Sequence, residues 1–288
     1  MKKILVLTDF SDNAIHAAKT AAMIAGKWNA DLLLYHNYQS LPVTPIYIGG
    51  AFVAEEAEWL VDEAKESLQR FSGILEAAIE KLPTDERKPH IISESGEGDI
   101  ADRLHELVTK NNIQLVVMGS QTGNTIEHFF LGSITSVIVK HTTCPVLVVP
   151  QNFDFNNLKH IIFATDFEQT DMDAVQFLIS LGKTFCFDLD IVHVDEYEDL
   201  TSSCSEKAID FRKQVSILDY PSVNYKTIRG LDIIRRLKKM CSESGAEVLA
   251  IVNREHSFFI NLLKKDITKK VLIDQTVPVM IFPAVKIK

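Results

Sequence analysis

The stretch Lys2–Asn37 occurs twice in this 288-residue chain. Each occurrence reads as a short apolar run, Thr-Asp-Phe, a helical stretch and a second apolar run reaching a histidine. Thr8, Asp9, Phe10, Asp31, Leu32 and His36 recur 157 positions later as Thr165, Asp166, Phe167, Asp188, Leu189 and His193. A second set keeps another spacing. Asp99, Leu104, Ile134, Thr135 and Pro145 recur 133 positions on as Asp232, Leu237, Ile267, Thr268 and Pro278. The 24-residue difference places extra residues in the first copy, between His36 and Asp99. Such a repeat constrains the fold more than composition does, because each copy must bury a similar core in a similar way. Two homologous domains are expected, 1–150 and 158–288. They are joined by the polar stretch 151–157, and the first carries an inserted region at 38–90.

Within a copy, short aliphatic runs alternate with amphipathic windows. Strands are expected at Ile4–Leu7, Leu32–His36, His90–Ser93, Leu115–Met118 and Val146–Val149, each bounded by polar or turn residues. Leu32-Leu33-Leu34 and Val146-Leu147-Val148-Val149 lack polar alternation, as parallel strands covered on both faces do. Helices are expected at Asn13–Lys27, Glu55–Lys81, Ile100–Lys110 and Ser133–His141. Asp99 is placed to cap the third of them. The predicted fold class is α/β, with a doubly wound parallel sheet in each copy. In such sheets, ligands bind beyond the carboxyl ends of the strands.

The formal net charge of −9 argues against a general binder of nucleic acid or of anionic membrane, which needs a basic face. Met1–Asp9 meets an acid too soon for a signal peptide, and no window approaches a membrane span. The four cysteines, Cys144, Cys186, Cys204 and Cys241, show no metal-ligand spacing. They read as reduced, mostly buried thiols of a cytoplasmic protein.

Two loops at strand ends carry chemistry. The first is Thr8-Asp9-Phe10-Ser11-Asp12. The second runs from Met118-Gly119 through Gly123 to Gly132-Ser133-Ile134-Thr135. Gly119 and Gly123 permit positive φ and a close backbone approach. Gly132-Ser133 opens a helix whose free N–H groups and dipole favour an anion. Turn glycines followed by a routine helix cap explain the same residues.

With the final Cys144-Pro145-Val146-Leu147-Val148-Val149 run, these loops resemble the universal stress protein family, and the repeat resembles its two-domain members. The resemblance implies a Rossmann-like five-stranded sheet in each domain. It also implies pairing of the domains through their last strands and, in one subclass, a bound adenine nucleotide. That subclass carries G-x2-G-x9-G-[S/T]. Gly119, Gly132 and Ser133 match it, while Thr122 stands at the middle glycine and Gly123 follows one place late. Asp9 matches the acid at the ribose end of the pocket, and Asn37 the strand position whose backbone meets adenine. Thr8, Asp9, Asn37, Met118, Gly119, Gly123, Gly132, Ser133, Ile134 and Thr135 are therefore the expected nucleotide contacts. ATP or AMP is the expected ligand, with magnesium accompanying ATP. The second copy has Val252–Phe259 opposite the glycine loop and Lys265-Asp266 opposite Gly132-Ser133, which reads as a degenerate site.

Other constellations are weaker. His36 and His193 end equivalent strands with no second ligand at fixed spacing, so strand-end hydrogen bonding is favoured over metal binding. No nucleophile elbow, HExxH or Walker sequence occurs. Leu41–Gly50 is apolar and turn-rich, suited to a lid or to interdomain packing. Phe52–Leu82 reads as one helix, or two broken near Ser72-Gly73, with a stripe of Trp59, Leu60, Ala64, Leu68, Phe71 and Leu75. The sequence therefore favours a nucleotide-binding regulatory protein with no dedicated catalytic centre. A slow ATPase and a scaffold or hydrophobic-ligand binder are the alternatives, and a homodimer is left open.

Overall fold

The computed structural model describes residues 1–39, 50–83, 86–120, 133–151, 153, 158–195, 206–230, 233–253 and 277–283. By compactness the chain divides into two units, Met1–Gly119 and Ser120–Lys288.

The first unit contains β1 (Lys3–Leu7), α1 (Asp12–Trp28), β2 (Asp31–Tyr38), α2 (Gly50–Ile79), β3 (Ile91–Glu97), α3 (Ile100–Lys110) and β4 (Ile113–Gly119). Its strands lie in the order β3-β2-β1-β4, all parallel. Leu5 pairs with Leu33 on one side and Val116 on the other, and all three are fully buried. This is why the runs lack polar alternation: helices cover both faces. Ser11 caps α1 by accepting from the Ala14 N–H, and Asn29 ends it in the left-handed region. The buried alanines 14, 17, 18, 21, 22 and 25 let α1 approach the sheet closely.

Helix α2 is one uninterrupted element, so Gly73 does not break it. Ala64, Leu68, Phe71, Leu75 and Ile79 form its buried stripe. Trp59 does not join them, being 60% exposed. It lies about 100° around the helix from Leu60, outside the stripe. Beyond the helix, Lys88 Nζ donates to the carbonyls of Ile79, Glu80 and Leu82, satisfying acceptors that a helix end leaves open. The predicted elements are otherwise recovered, most with a residue or more added at their ends.

The second unit contains α4 (Ser133–His141), β5 (Val146–Val149), β6 (His160–Ala164), α5 (Gln169–Phe185), β7 (Asp188–Asp195), α6 (Glu206–Ser216), β8 (Val223–Arg229), α7 (Ile233–Ser244), β9 (Val248–Asn253) and β10 (Val279–Pro283). The run β8-β7-β6-β9 reproduces the parallel order of the first unit. β10 continues it in parallel beside β9. β5 runs antiparallel to β10, with Val148 opposite Val279 and Val146 opposite Ile281. Strand β5, which closes the first copy in sequence, therefore groups with the second unit.

A polar cluster around Asp190 interrupts the apolar interior of this unit. The Asp190 side chain, on β7, is almost fully buried and accepts from His160 Nε2 at 2.8 Å, Lys226 Nζ at 2.6 Å and Asn224 Nδ2 at 3.2 Å. Burial pushes its acid up, but the hydrogen bonds from Lys226 and His160 outweigh it and hold the carboxyl below the usual range. Leu33 stands at the corresponding place in the first copy.

Candidate functional site

At the carboxyl end of β1 the chain turns at Thr8-Asp9-Phe10. Thr8 is buried; its N–H donates to the Tyr35 carbonyl, and its hydroxyl oxygen accepts from the Phe10 N–H. His36, near the end of the adjacent β2, donates from Nδ1 to the Thr8 carbonyl at 2.8 Å. That bond fixes the Nδ1–H tautomer, because a carbonyl can only accept. Phe10 sits at φ 65°, a left-handed conformation that costs a bulky residue about 1–3 kcal/mol. Ring contacts hold it there, with His36 4.3 Å away between centroids and Phe71 of α2 edge-on at 6.0 Å.

The second copy builds the same device. His193 Nδ1 donates to the Thr165 carbonyl at 2.9 Å, and Phe167 at φ 59° packs on His193 and Phe211. The histidines are thus satisfied strand-end residues, as their sequence setting suggested. Phe71 and Phe211 were not legible as partners, because α2 and α6 share no alignable sequence around them.

The two copies differ in what lies under this turn. In the first, Asp9 is exposed, and its Oδ1 accepts from the Ser11 N–H at 3.1 Å and the Ser11 hydroxyl at 2.6 Å. In the second, the buried Asp171 carboxylate accepts from the Thr165 hydroxyl at 2.8 Å, and from the Asp166 and Glu168 N–H groups at 3.2 Å each. Ala14 occupies the position corresponding to Asp171 in the first copy. The second copy therefore satisfies its turn with a carboxylate of its own.

Asn37, also near the end of β2, spends its amide N–H on the Gly98 carbonyl at 2.7 Å. Its Oδ1 is buried and has no hydrogen-bond partner among the described residues. Gly98 itself sits at φ 101°, where a side chain would be strained. Met118 and Gly119 end β4, with Met118 buried opposite Leu7 of β1. Gly119 is a glycine because of α1: a Cβ there would lie 2.9 Å from Asn13 Nδ2 and 3.0 Å from the Asn13 backbone. Positive φ plays no part at Gly119.

Thr8, Asp9, Asn37, Met118 and Gly119 thus gather at one end of the first unit's sheet. Ser133, Ile134 and Thr135 form the first turn of α4 in the second unit, with Ile134 45% exposed and Thr135 buried. Gly123 and Gly132 lie outside the described residues, as do Leu41–Gly49 and the second copy's counterpart loop from Arg254 to Asp266.

Residues 1–150 match the universal stress protein family. The chain belongs to that family. A universal stress protein of Methanocaldococcus jannaschii is 30% identical over 148 residues, which cover 51% of this chain and 81% of that relative. The YxiE universal stress protein of Bacillus subtilis is 28% identical over 151 residues, covering 51% of this chain and 97% of the relative. A solved universal stress protein from Archaeoglobus fulgidus shares the fold, with a TM-score of 0.69 over 98% of this chain and 96% of its own, at 18% identity. Among the described residues, no helix is long and apolar enough to cross a membrane. Of the cysteines, Cys144 and Cys241 are buried, with thiols pushed up to about 11 by that burial, whereas Cys186 is exposed.

Proposed function

We propose that this universal stress protein is a stress-response regulator whose N-terminal copy binds an adenine nucleotide, ATP or AMP. The observation that carries the reading is the unpaired, buried Oδ1 of Asn37 at the same sheet end as the exposed Asp9 carboxylate. A buried acceptor calls for a donor, and the exocyclic amine of adenine is one. Asp9 suits the paired hydroxyls of ribose. The sequence supports Gly119, Gly123, Gly132, Ser133, Ile134 and Thr135 as the phosphate side, where helix-start N–H groups favour anions. With ATP, magnesium would accompany the phosphates. The second copy, whose turn is filled by Asp171, does not bind.

The domain limits 1–150, 151–157 and 158–288 belong to the same proposal, as does pairing of the copies through their final strands. The β5–β10 ladder supports that pairing. Titration calorimetry of the full chain with ATP and with AMP tests the nucleotide reading. Binding is expected, weakened about tenfold or more by Asp9→Ala, which removes a charged acceptor, and lost in Gly132→Glu. No heat with either nucleotide, or affinity untouched by both substitutions, overturns it.

A further inference from the structure

Strands β3 and β8 hold the same place in their units, each flanked by one described strand, β2 or β7. Their registers make the equivalence residue by residue. Tyr35 pairs with Glu94 and Tyr38 with Glu97, while Val192 pairs with Lys226 and Asp195 with Arg229. Tyr35 and Val192 are 157 apart, as are Tyr38 and Asp195. Glu94 therefore corresponds to Lys226, and Glu97 to Arg229. The helices that follow, α3 and α7, match through Asp99 and Asp232 and through Leu104 and Leu237. That alignment sets Asp102 against Arg235 and Glu106 against Lys239.

All eight of these residues are exposed. At each of the four equivalent positions an acid in the first copy is a base in the second. The exposed i,i+4 pairs follow suit, Glu106 with Lys110 in α3 and Lys239 with Glu243 in α7. Arg103 and Arg236 keep their sign. On the basic edge, Lys226 is held by Asp190, while Arg229, Arg235, Arg236 and Lys239 are all exposed.

Charged residues on an edge strand ordinarily block pairing with another sheet. Two edges of one sign would do that for every copy of the chain. Edges of opposite sign on one chain repel their own kind and attract each other. We infer that the acidic β3–α3 edge of one molecule docks against the basic β8–α7 edge of a second copy of this chain. Such an interface is heterologous, so it extends head to tail or closes into a ring.

Sedimentation velocity of the full chain over a wide concentration range tests this. Association is expected at low ionic strength and is expected to weaken toward about 1 M salt, where the screening length falls to about 3 Å. Glu94→Lys with Glu106→Lys turns the first edge basic as well, and Arg229→Glu with Lys239→Glu cancels the basic excess of the second edge. Each double variant alone should self-associate about tenfold more weakly or less than the parent. An equimolar mixture of the two should regain association, because each supplies the edge the other lacks. A single species independent of concentration at low salt overturns the inference. So does association that neither variant alters, or variants that stay weak when mixed. If a variant fails to fold by circular dichroism, the parent's salt and concentration dependence still decides.

Discussion

At the scale of single residues, Gly119 and Asp190 do work that their sequence surroundings disguise. Gly119 belongs to a glycine pattern that reads as a ligand cradle, yet its missing side chain makes room for Asn13 of α1. Gly119→Ala should destabilise the protein by about 1–3 kcal/mol, since the neighbour is partly backbone and cannot simply rotate away. Thermal unfolding without nucleotide reads this directly; an unchanged midpoint would return Gly119 to a purely ligand-facing role. Asp190 is a buried acid among the buried aliphatics Leu189, Ile191 and Val192 of β7, held in its charged form by Lys226 and His160. Its folded-state pKa is depressed, so its contribution is full above the unfolded carboxyl value of about 4 and disappears as pH falls through the folded value. Asp190→Asn should therefore lose stability at neutral pH and show a shallower decline on acidification. Unfolding midpoints followed from neutral pH down to about pH 3 measure both effects.

At the scale of elements, the turn after the first strand of each copy shows how far a sequence reveals its own structure. Thr-Asp-Phe and the distant histidine were legible because they repeat at one fixed spacing. Strands and helices were legible because buried parallel strands and amphipathic helices leave different patterns, and Asp99 and the first turn of α4 lie where those patterns end. The left-handed Phe10 and its contact with Phe71 were not legible, since a ring contact across an insertion leaves no periodic mark. Trp59 failed for the opposite reason, an apolar residue next to a stripe being easily counted into it. Asp171 reads as an ordinary first-turn acid, although it closes the second copy's turn with three hydrogen bonds. Asp171→Ala, which installs the first copy's Ala14, should cost about 2–4 kcal/mol by stranding those donors. Ser11→Ala, the loss of one ordinary cap, should cost about 1 kcal/mol. Chemical denaturation of the two variants compares them, and equal losses would mean that the second turn gains nothing from its internal carboxylate.

At the scale of the whole molecule, compactness and sequence repetition divide the chain differently. The repeat places β5 at the end of the first copy, but its ladder is with β10, the last strand of the second. The residues involved are all strongly apolar: Val146, Leu147 and Val148 face Ile281, Met280 and Val279, and all six are buried. Neither strand tolerates being left as an open edge, for a short apolar edge recruits other chains. Their pairing makes β5 depend on β10 although well over a hundred residues separate them in sequence. Ile281→Asp puts an unpaired charge into this ladder and should destabilise it by more than about 3 kcal/mol. Hydrogen exchange followed by mass spectrometry should then show protection lost at Val146–Val149 together with Val248–Asn253, the strands on either side of β10. The ladder between Leu32–His36 and Ile91–Ser95 should retain far more of its protection, because its contacts lie wholly within the first unit. Loss of protection at that first-unit ladder to the same degree as at β5 would mean that the chain unfolds as a single cooperative body and that the two units have no separate stability.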